Sequence, residues 1–326
     1  MPRILLWLLL AAILITLPHI LSFSQQEILV FLVINILLVV SYRLLTLTGE
    51  WSLGHVVIMG VGAYASALLS KRLGVWVPVS MIVGALIAAA TAFLLSFPLF
   101  RMKGFYFLIG SFASAEIIRL LWKRFRDPFG GAKGLKRIDG MPDFSIGGIT
   151  ADFFEPVTYY YFALIVVIIS LWILWRIERS LVGLTFHAVH WQDMLAQASG
   201  VNVRKYRTMA FVLASGFAGL SGALLAHYIG TINPNSFDVE MMVFVLTWAI
   251  VGGTGTFYGP ILGCVVLTVI NEVVLREMGF EQMRPLIYGA IMILSILFLP
   301  DGLESLVQRA QVAWRRKRST SQEAAS

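Results

Sequence analysis

Few residues in this chain are of a type and spacing to do chemistry. Glu116 and Arg119 stand three apart within an otherwise apolar run over 104–122. That spacing puts a carboxylate and a guanidinium one turn apart on one helical face, where they pair with each other or line a polar path through an apolar medium. Ser52, Gly54 and His55 open a charge-free stretch, and Gly252, Gly253 and Gly255 sit in another. Unwound backbone at such glycines can line a cavity, so these three groups are the candidate path residues. His187 and His190 lack a third ligand, so no metal centre is read from them. The chain has no Gly-x-x-x-x-Gly-Lys-[Ser/Thr] phosphate loop, no His-Glu-x-x-His and no Gly-x-Ser-x-Gly. No catalytic residue and no cofactor site is therefore expected in this chain, which reads as a non-enzyme. The single cysteine, Cys264, lies in an apolar run, which excludes a disulfide framework or a thiolate cluster.

The elements that must position these groups belong to a membrane protein. The 326 residues are 58% hydrophobic and 13% charged, with a mean hydropathy of +0.82, against roughly a quarter charged in soluble domains. Asp, Glu, Lys and Arg are absent from 4–26, 51–70, 73–100, 157–175, 208–237 and 241–271, and a crossing helix needs about 20 apolar residues. Shorter runs lie at 28–42, 104–122 and 285–300, and 241–271 is long enough for two crossings. No period-two alternation marks a barrel, so backbone pairing within each segment demands helices. The expectation is an all-α, polytopic integral membrane protein with about 8–10 transmembrane helices. Its broken or re-entrant segment falls around Gly252 to Pro260. The stretch 52–70 either crosses or re-enters.

The net charge of +7 is read as basic loops on the inner face rather than as a nucleic-acid partner. The transmembrane domain covers 1–313 and the basic cytoplasmic tail 314–326. The Gly- and Pro-rich segment 123–156 is an external loop with little regular structure, and 177–207 is a cytoplasmic loop. Within it, Leu184, His187, Ala188, Trp191, Leu195 and Ala198 recur at helical spacing up to a stop at Gly200 and Asn202, which predicts one amphipathic helix over 184–200. Small residues, among them Gly60, Gly62, Gly219 and Gly222, mark close helix crossings. Trp51, Trp76, Trp122, Tyr159, Tyr160, Tyr161, Trp172 and Trp175 fall near span ends, as interfacial anchors do.

Three segments together resemble a known family. Gly49-Glu50-Trp51-Ser52-Leu53-Gly54-His55 runs on to Gly60-Val61-Gly62-Ala63-Tyr64, and Arg101-Met102-Lys103-Gly104-Phe105-Tyr106-Phe107 leads to Glu116 and Arg119. The third runs from Glu178-Arg179-Ser180 through Asp193 and Gly200 to Gly219-Leu220-Ser221-Gly222, with Gly252-Gly253-Thr254-Gly255 and Pro300-Asp301-Gly302-Leu303 continuing it. They resemble the M-type permease subunits of bacterial ABC importers for branched-chain amino acids. The resemblance implies an inner-membrane subunit working with a second homologous permease, two ATP-binding cassette subunits that hold the ATP, and a periplasmic or lipid-anchored substrate-binding protein. It further implies coupling to the ATPases through His187, Trp191, Asp193, Ala196, Ala198 and Gly200. The coupling motif matches loosely, with Ser199 where leucine is usual, and Phe129-Gly130-Gly131-Ala132-Lys133-Gly134 departs from the family's external loop. The wider family also moves urea, amides and other small organic solutes, and a self-contained secondary transporter is the alternative from another class.

Overall fold

The computed structural model describes residues 12–142, 144–146, 149–271, 283–299 and 301–305. The first basic residues, Glu272 and the tail 314–326 lie outside these. A helix α1, described over 12–20, leads into α2 (Phe23–Thr46), and α3 (His55–Leu73), α4 (Val77–Leu99) and α5 (Phe105–Arg124) follow. Next come α6 (Pro156–Glu178), α7 (Leu181–Trp191), α8 (Asp193–Ala198) and α9 (Val203–Ile229). The described chain finishes with α10 (Val239–Gly252), α11 (Gly259–Val269) and α12 (Arg284–Phe298). Seven helices among the described residues are long and apolar enough to cross a membrane: α2, α3, α4, α5, α6, α9 and the stretch Arg284–Ser305 that contains α12. The stretch beginning at His55 is thus long enough to cross rather than only dip.

Among the described residues the 241–271 run gives no helix of full crossing length. It yields α10 and α11, of 14 and 11 residues, each short of the roughly 20 a crossing needs. The break between them is where Gly253 takes a φ of +95°, a conformation costly for any residue with a Cβ.

Small residues decide the inner packing. Helix α9 packs against α2, α3 and α4, and a Cβ on Gly62 would run into the Gly219 backbone while one on Gly222 would run into the Met59 carbonyl. In lipid, where apolar contact alone does not drive association, such backbone proximity is what holds helices together. Helices α2, α3 and α9 form the interior and are mostly buried, whereas α5 is largely exposed. The outer helices show lipid-type faces, such as Ile82, Leu86 and Leu94 on α4 and Ile165, Ile169 and Trp172 on α6. Not all the expected anchors lie at an interface. Trp122 is buried and stacks on Tyr64 at 4.6 Å between ring centroids, and the Tyr159 hydroxyl donates to the Leu224 carbonyl at 2.7 Å. Trp76 and Trp172 are exposed.

Two ends of the bundle can be told apart by their contacts. At one end, the 123–156 segment is more ordered than its glycines and prolines suggest. β1 (Leu135–Lys136) pairs antiparallel with β4 (Thr231–Ile232), and β2 (Phe144–Ile146) with β3 (Ile149–Ala151). The β1–β4 partner lies almost a hundred residues away, so no local signal announces it. Here the Ile138 amide donates to the Gly230 carbonyl at 2.9 Å and Lys71 to the Lys136 carbonyl at 2.5 Å. The opposite end gathers the α2–α3 loop, the starts of α5 and α9, helices α7 and α8, and the α10–α11 loop.

Helix α7 is capped by Ser180, whose side chain accepts from the Val182 amide, and α9 by Asn202, whose side chain accepts from the Lys205 amide. The single helix expected over 184–200 is two, because Gln192 adopts an extended backbone at φ −155° and ψ 98°. The termination at Gly200, with φ +84°, is as expected. The stripe is on the other side, however. Gly183, Phe186, Val189 and Ala196 are buried, whereas Leu184, Trp191, Met194 and Leu195 are exposed.

Candidate substrate path and coupling surface

At the α7–α8 end, two buried ion-pair groups tie distant elements together. Arg43, in the last turn of α2 and 1% exposed, makes a bidentate pair with Glu178 at 2.5 and 2.9 Å. Its Nε donates to the Thr254 carbonyl at 3.0 Å. One guanidinium thus joins α2, the end of α6 and the α10–α11 loop, a geometry its planar fork suits. That loop is held from its other side by Glu304, which accepts from the Thr256 amide at 2.8 Å and the Thr256 hydroxyl at 2.5 Å. A Cβ on Gly253 would meet the Glu304 Cγ at 2.6 Å. Gly252, Gly259 and Gly263 bring the α10 and α11 backbones together.

The second group centres on Arg207, one turn into α9. Its guanidinium spans Asp193, the first residue of α8, at 2.8 and 2.9 Å, and Glu50 in the α2–α3 loop at 3.1 Å. Glu50 is 2% exposed. Burial pushes its carboxyl above the usual carboxylate range, Arg207 opposes the push and Asp193 adds to it. His190 meets the end of α2 beside the same α2–α3 loop, its Nδ1 3.1 Å from the Thr46 carbonyl. Burial holds His187 below the ordinary histidine range, with Glu178 opposing and Arg43 and His190 adding to the shift. Among the predicted coupling residues, Trp191, Ala198 and Gly200 are exposed, Asp193 is the α8 end of the Arg207 link, and Ala196 packs inward with Val189 and Val203.

Two residues beyond Glu50 the loop reaches Ser52, whose hydroxyl accepts from the Gly54 amide at 3.1 Å. His55 is fully buried, its Nε2 3.0 Å from the Ser41 hydroxyl. Leu53 and Val57 form one wall of a cleft completed by Phe112, Ala115 and Glu116 of α5 and by Phe237, Asp238 and Val239. Glu116 pairs with Arg119 at 2.5 and 2.8 Å, as their spacing predicts. Asp238 caps α10, its side chain accepting from the Met241 amide at 3.1 Å. The structure therefore brings Ser52, Gly54 and Glu116 close to one cleft. It places Gly252, Gly253 and Gly255 apart, in the loop held by Arg43 and Glu304.

Sequence reasoning passed over Arg43, Arg207, Glu304 and Asp238 as functional residues. Arg43 abuts the apolar 28–42 run and Glu50 sits between two such runs, the pattern that could have singled them out. Their partners are set by tertiary contacts alone.

Long apolar helices around small-residue crossings, with charge clusters gathered at one end, define a multi-pass membrane protein. The chain belongs to the family described as branched-chain amino acid transport system / permease component, whose model matches residues 25–296. It is 30% identical over 275 residues to the high-affinity branched-chain amino acid transport system permease protein LivM of Escherichia coli strain K12, covering 79% of this chain and 64% of that protein. The LivM protein of Salmonella typhimurium matches to the same extent. The chain thus spans a little under two thirds of the length of these relatives. It is also 27% identical over 307 residues to the autoinducer 2 import system permease protein LsrC of Enterobacter sp. strain 638, covering 91% of this chain and 82% of that protein. No solved structure gives a significant match.

Proposed function

We propose that this chain is the membrane-spanning permease subunit of an ATP-driven importer of branched-chain or related amino acids. ATP is hydrolysed by two separate cassette subunits, a second permease completes the path, and a periplasmic or lipid-anchored binding protein delivers the substrate. The observation that carries this reading is the Asp193–Arg207–Glu50 linkage. It connects α8, beside the exposed Trp191, Met194 and Leu195, to the loop that enters the cleft. An ATPase pressing on α7 and α8 needs a connection to the spans, and Arg207 supports one by hydrogen-bonding to Asp193 and forming an ion pair with the buried Glu50. On this reading the α7–α8 end faces the cytoplasm.

The test is cysteine crosslinking in a Cys264→Ser background. Met194→Cys should crosslink to a cassette subunit in the complex copurified with its genomic neighbours, and Ile169→Cys, on the lipid-type face of α6, should not. Absence of a Met194 crosslink in an intact complex would sink the coupling assignment. The LsrC relatives, named for autoinducer 2 import, favour a second reading, in which the same machine carries a small organic solute other than an amino acid. Leucine-stimulated ATP hydrolysis in the presence of the binding protein separates the two.

A further inference from the structure

The turn that closes α4 meets the first turn of α9 at the α7–α8 end of the bundle. Arg204 Nη2 donates to the Phe97 carbonyl at 3.2 Å. Phe100 packs edge-on against Phe211, two turns into α9, at 5.9 Å between ring centroids. Four exposed cations gather around this junction: Arg101 and Lys103 just past α4, and Arg204 and Lys205 at the start of α9. Lys103 is near enough to Glu50 for its charge to favour that carboxylate. Among the described residues none of the four makes an ion pair. Glu50 and Asp193, which share this end, are held by Arg207, and Glu178 by Arg43. The first turn of α9 holds no acidic residue to offset its two cations, the reverse of the charge a helix start favours. The junction therefore carries uncompensated positive charge.

An apolar strip leads up to it. Phe93, Leu94 and Phe97, in the last two turns of α4, are all exposed, and the Phe93 and Phe97 rings pack edge to face at 5.1 Å. Helix α4 is long and apolar enough to span, so this strip faces acyl chains. The cations stand where the strip ends, at the level basic side chains of a span's end occupy. We propose that the junction binds an anionic phospholipid, with its phosphate on Arg101, Lys103 and Arg204 and its acyl chains along Phe93, Leu94 and Phe97. Unpaired cations at the foot of a lipid-facing strip match a molecule that carries a negative headgroup on apolar chains. A docking protein subunit has a separate exposed face in Trp191, Met194 and Leu195. The inference needs only the membrane-spanning fold and does not rest on what the subunit carries.

The test takes the full-length protein, purified in mild detergent with the subunits that accompany it, and exchanges its lipid against equal parts of phosphatidylglycerol and phosphatidylcholine. Mass spectrometry of the intact assembly counts the lipids retained. Each cation at a membrane surface is worth about fivefold in affinity for anionic lipid. Wild type should therefore retain phosphatidylglycerol in preference, and Arg204→Ser should lower that preference about fivefold. The triple variant Arg101→Ser/Lys103→Ser/Arg204→Ser should abolish it, while Arg204→Lys, which keeps the charge, should preserve most of it. Equal retention of the two lipids by wild type, or an undiminished preference in the triple variant, would overturn the proposal. If the triple variant does not fold, the single Arg101→Ser and Arg204→Ser variants, at exposed positions, carry the same comparison. Displacement of the lipid by an excess of glycerol phosphate would mark a site for a soluble anion and overturn the proposal. A preference seen only when cassette subunits are absent would give the cations to the ATPase and do the same.

Discussion

Removing Arg207 should expose how much of the fold depends on the link to α8. In Arg207→Ala, Glu50 keeps its buried position, 3% exposed at the side chain, and loses the guanidinium that pairs with it, with the Lys103 ammonium still favouring its charged form. Breaking a buried pair from one side costs about 3–5 kcal/mol when the orphan stays charged. The carboxyl can instead take up a proton. From the ordinary value of 4.5, neutralisation at pH 7 costs about 1.36 kcal/mol per unit, or about 3.4 kcal/mol, which caps the penalty. Asp193 is 24% exposed and adds less than about 1 kcal/mol once solvent screens it.

The expected loss is therefore about 3 kcal/mol, on the order of 5–10 °C in the apparent melting temperature of the detergent-solubilised protein. Fluorescence-detected size exclusion after heating reads it. The Arg207→Ala/Glu50→Gln double variant should recover most of the loss, because glutamine carries no charge to bury. The sign with pH follows from the same group. Burial raises the Glu50 value, so its contribution is most favourable below the ordinary carboxylate range and declines as pH rises through the raised one. Glu50→Gln should accordingly gain on wild type as pH rises toward neutral. A double variant no more stable than Arg207→Ala alone would refute the electrostatic account and leave a packing role for the arginine.

Gly62→Ala should abolish accumulation of folded protein, since its Cβ meets the backbone of Gly219 with no side chain able to yield; normal yield and melting temperature would contradict the described α3–α9 crossing. The histidine value at His187 is lowered, so stability is fully present above about 6.5 and is lost as pH falls below it. His187→Gln should flatten that acid limb of a melting-temperature profile, and identical slopes would remove His187 as its cause. Glu304→Ala leaves the Thr256 amide and hydroxyl without their acceptor, at a cost of about 1–3 kcal/mol. Limited proteolysis should then cut faster near residues 253–258, and an unchanged rate would show that Arg43 alone holds the loop.

The membrane class, the all-helical fold and the Glu116–Arg119 pair were legible because each rests on local pattern: apolar length, charge placement and a three-residue spacing. The crossing of α3 and α9 was half legible, since small residues announce close approach without naming the partner. What stayed hidden was set by contacts far apart in sequence. Trp122 looks like an interfacial anchor until Tyr64 and Phe237 close over it. The spacing from Leu184 to Ala198 announces an amphipathic helix without saying which face packs, and it is Phe186 and Val189 that pack while Leu184, Trp191 and Leu195 are exposed. A kink at Gln192 carries no proline or glycine to announce it. Arg207 is ordinary in sequence and becomes a junction only because Glu50 and Asp193 arrive from about 157 and 14 residues away.

The most direct measurement is leucine uptake by proteoliposomes holding the permeases with or without the cassette subunits, with ATP enclosed on the cassette side and the binding protein outside. Uptake that requires both ATP and the cassettes, and that falls when Arg207 is replaced, is the predicted result. Uptake by this chain without cassettes, driven by an ion gradient, would contradict the account and make the protein a self-contained transporter.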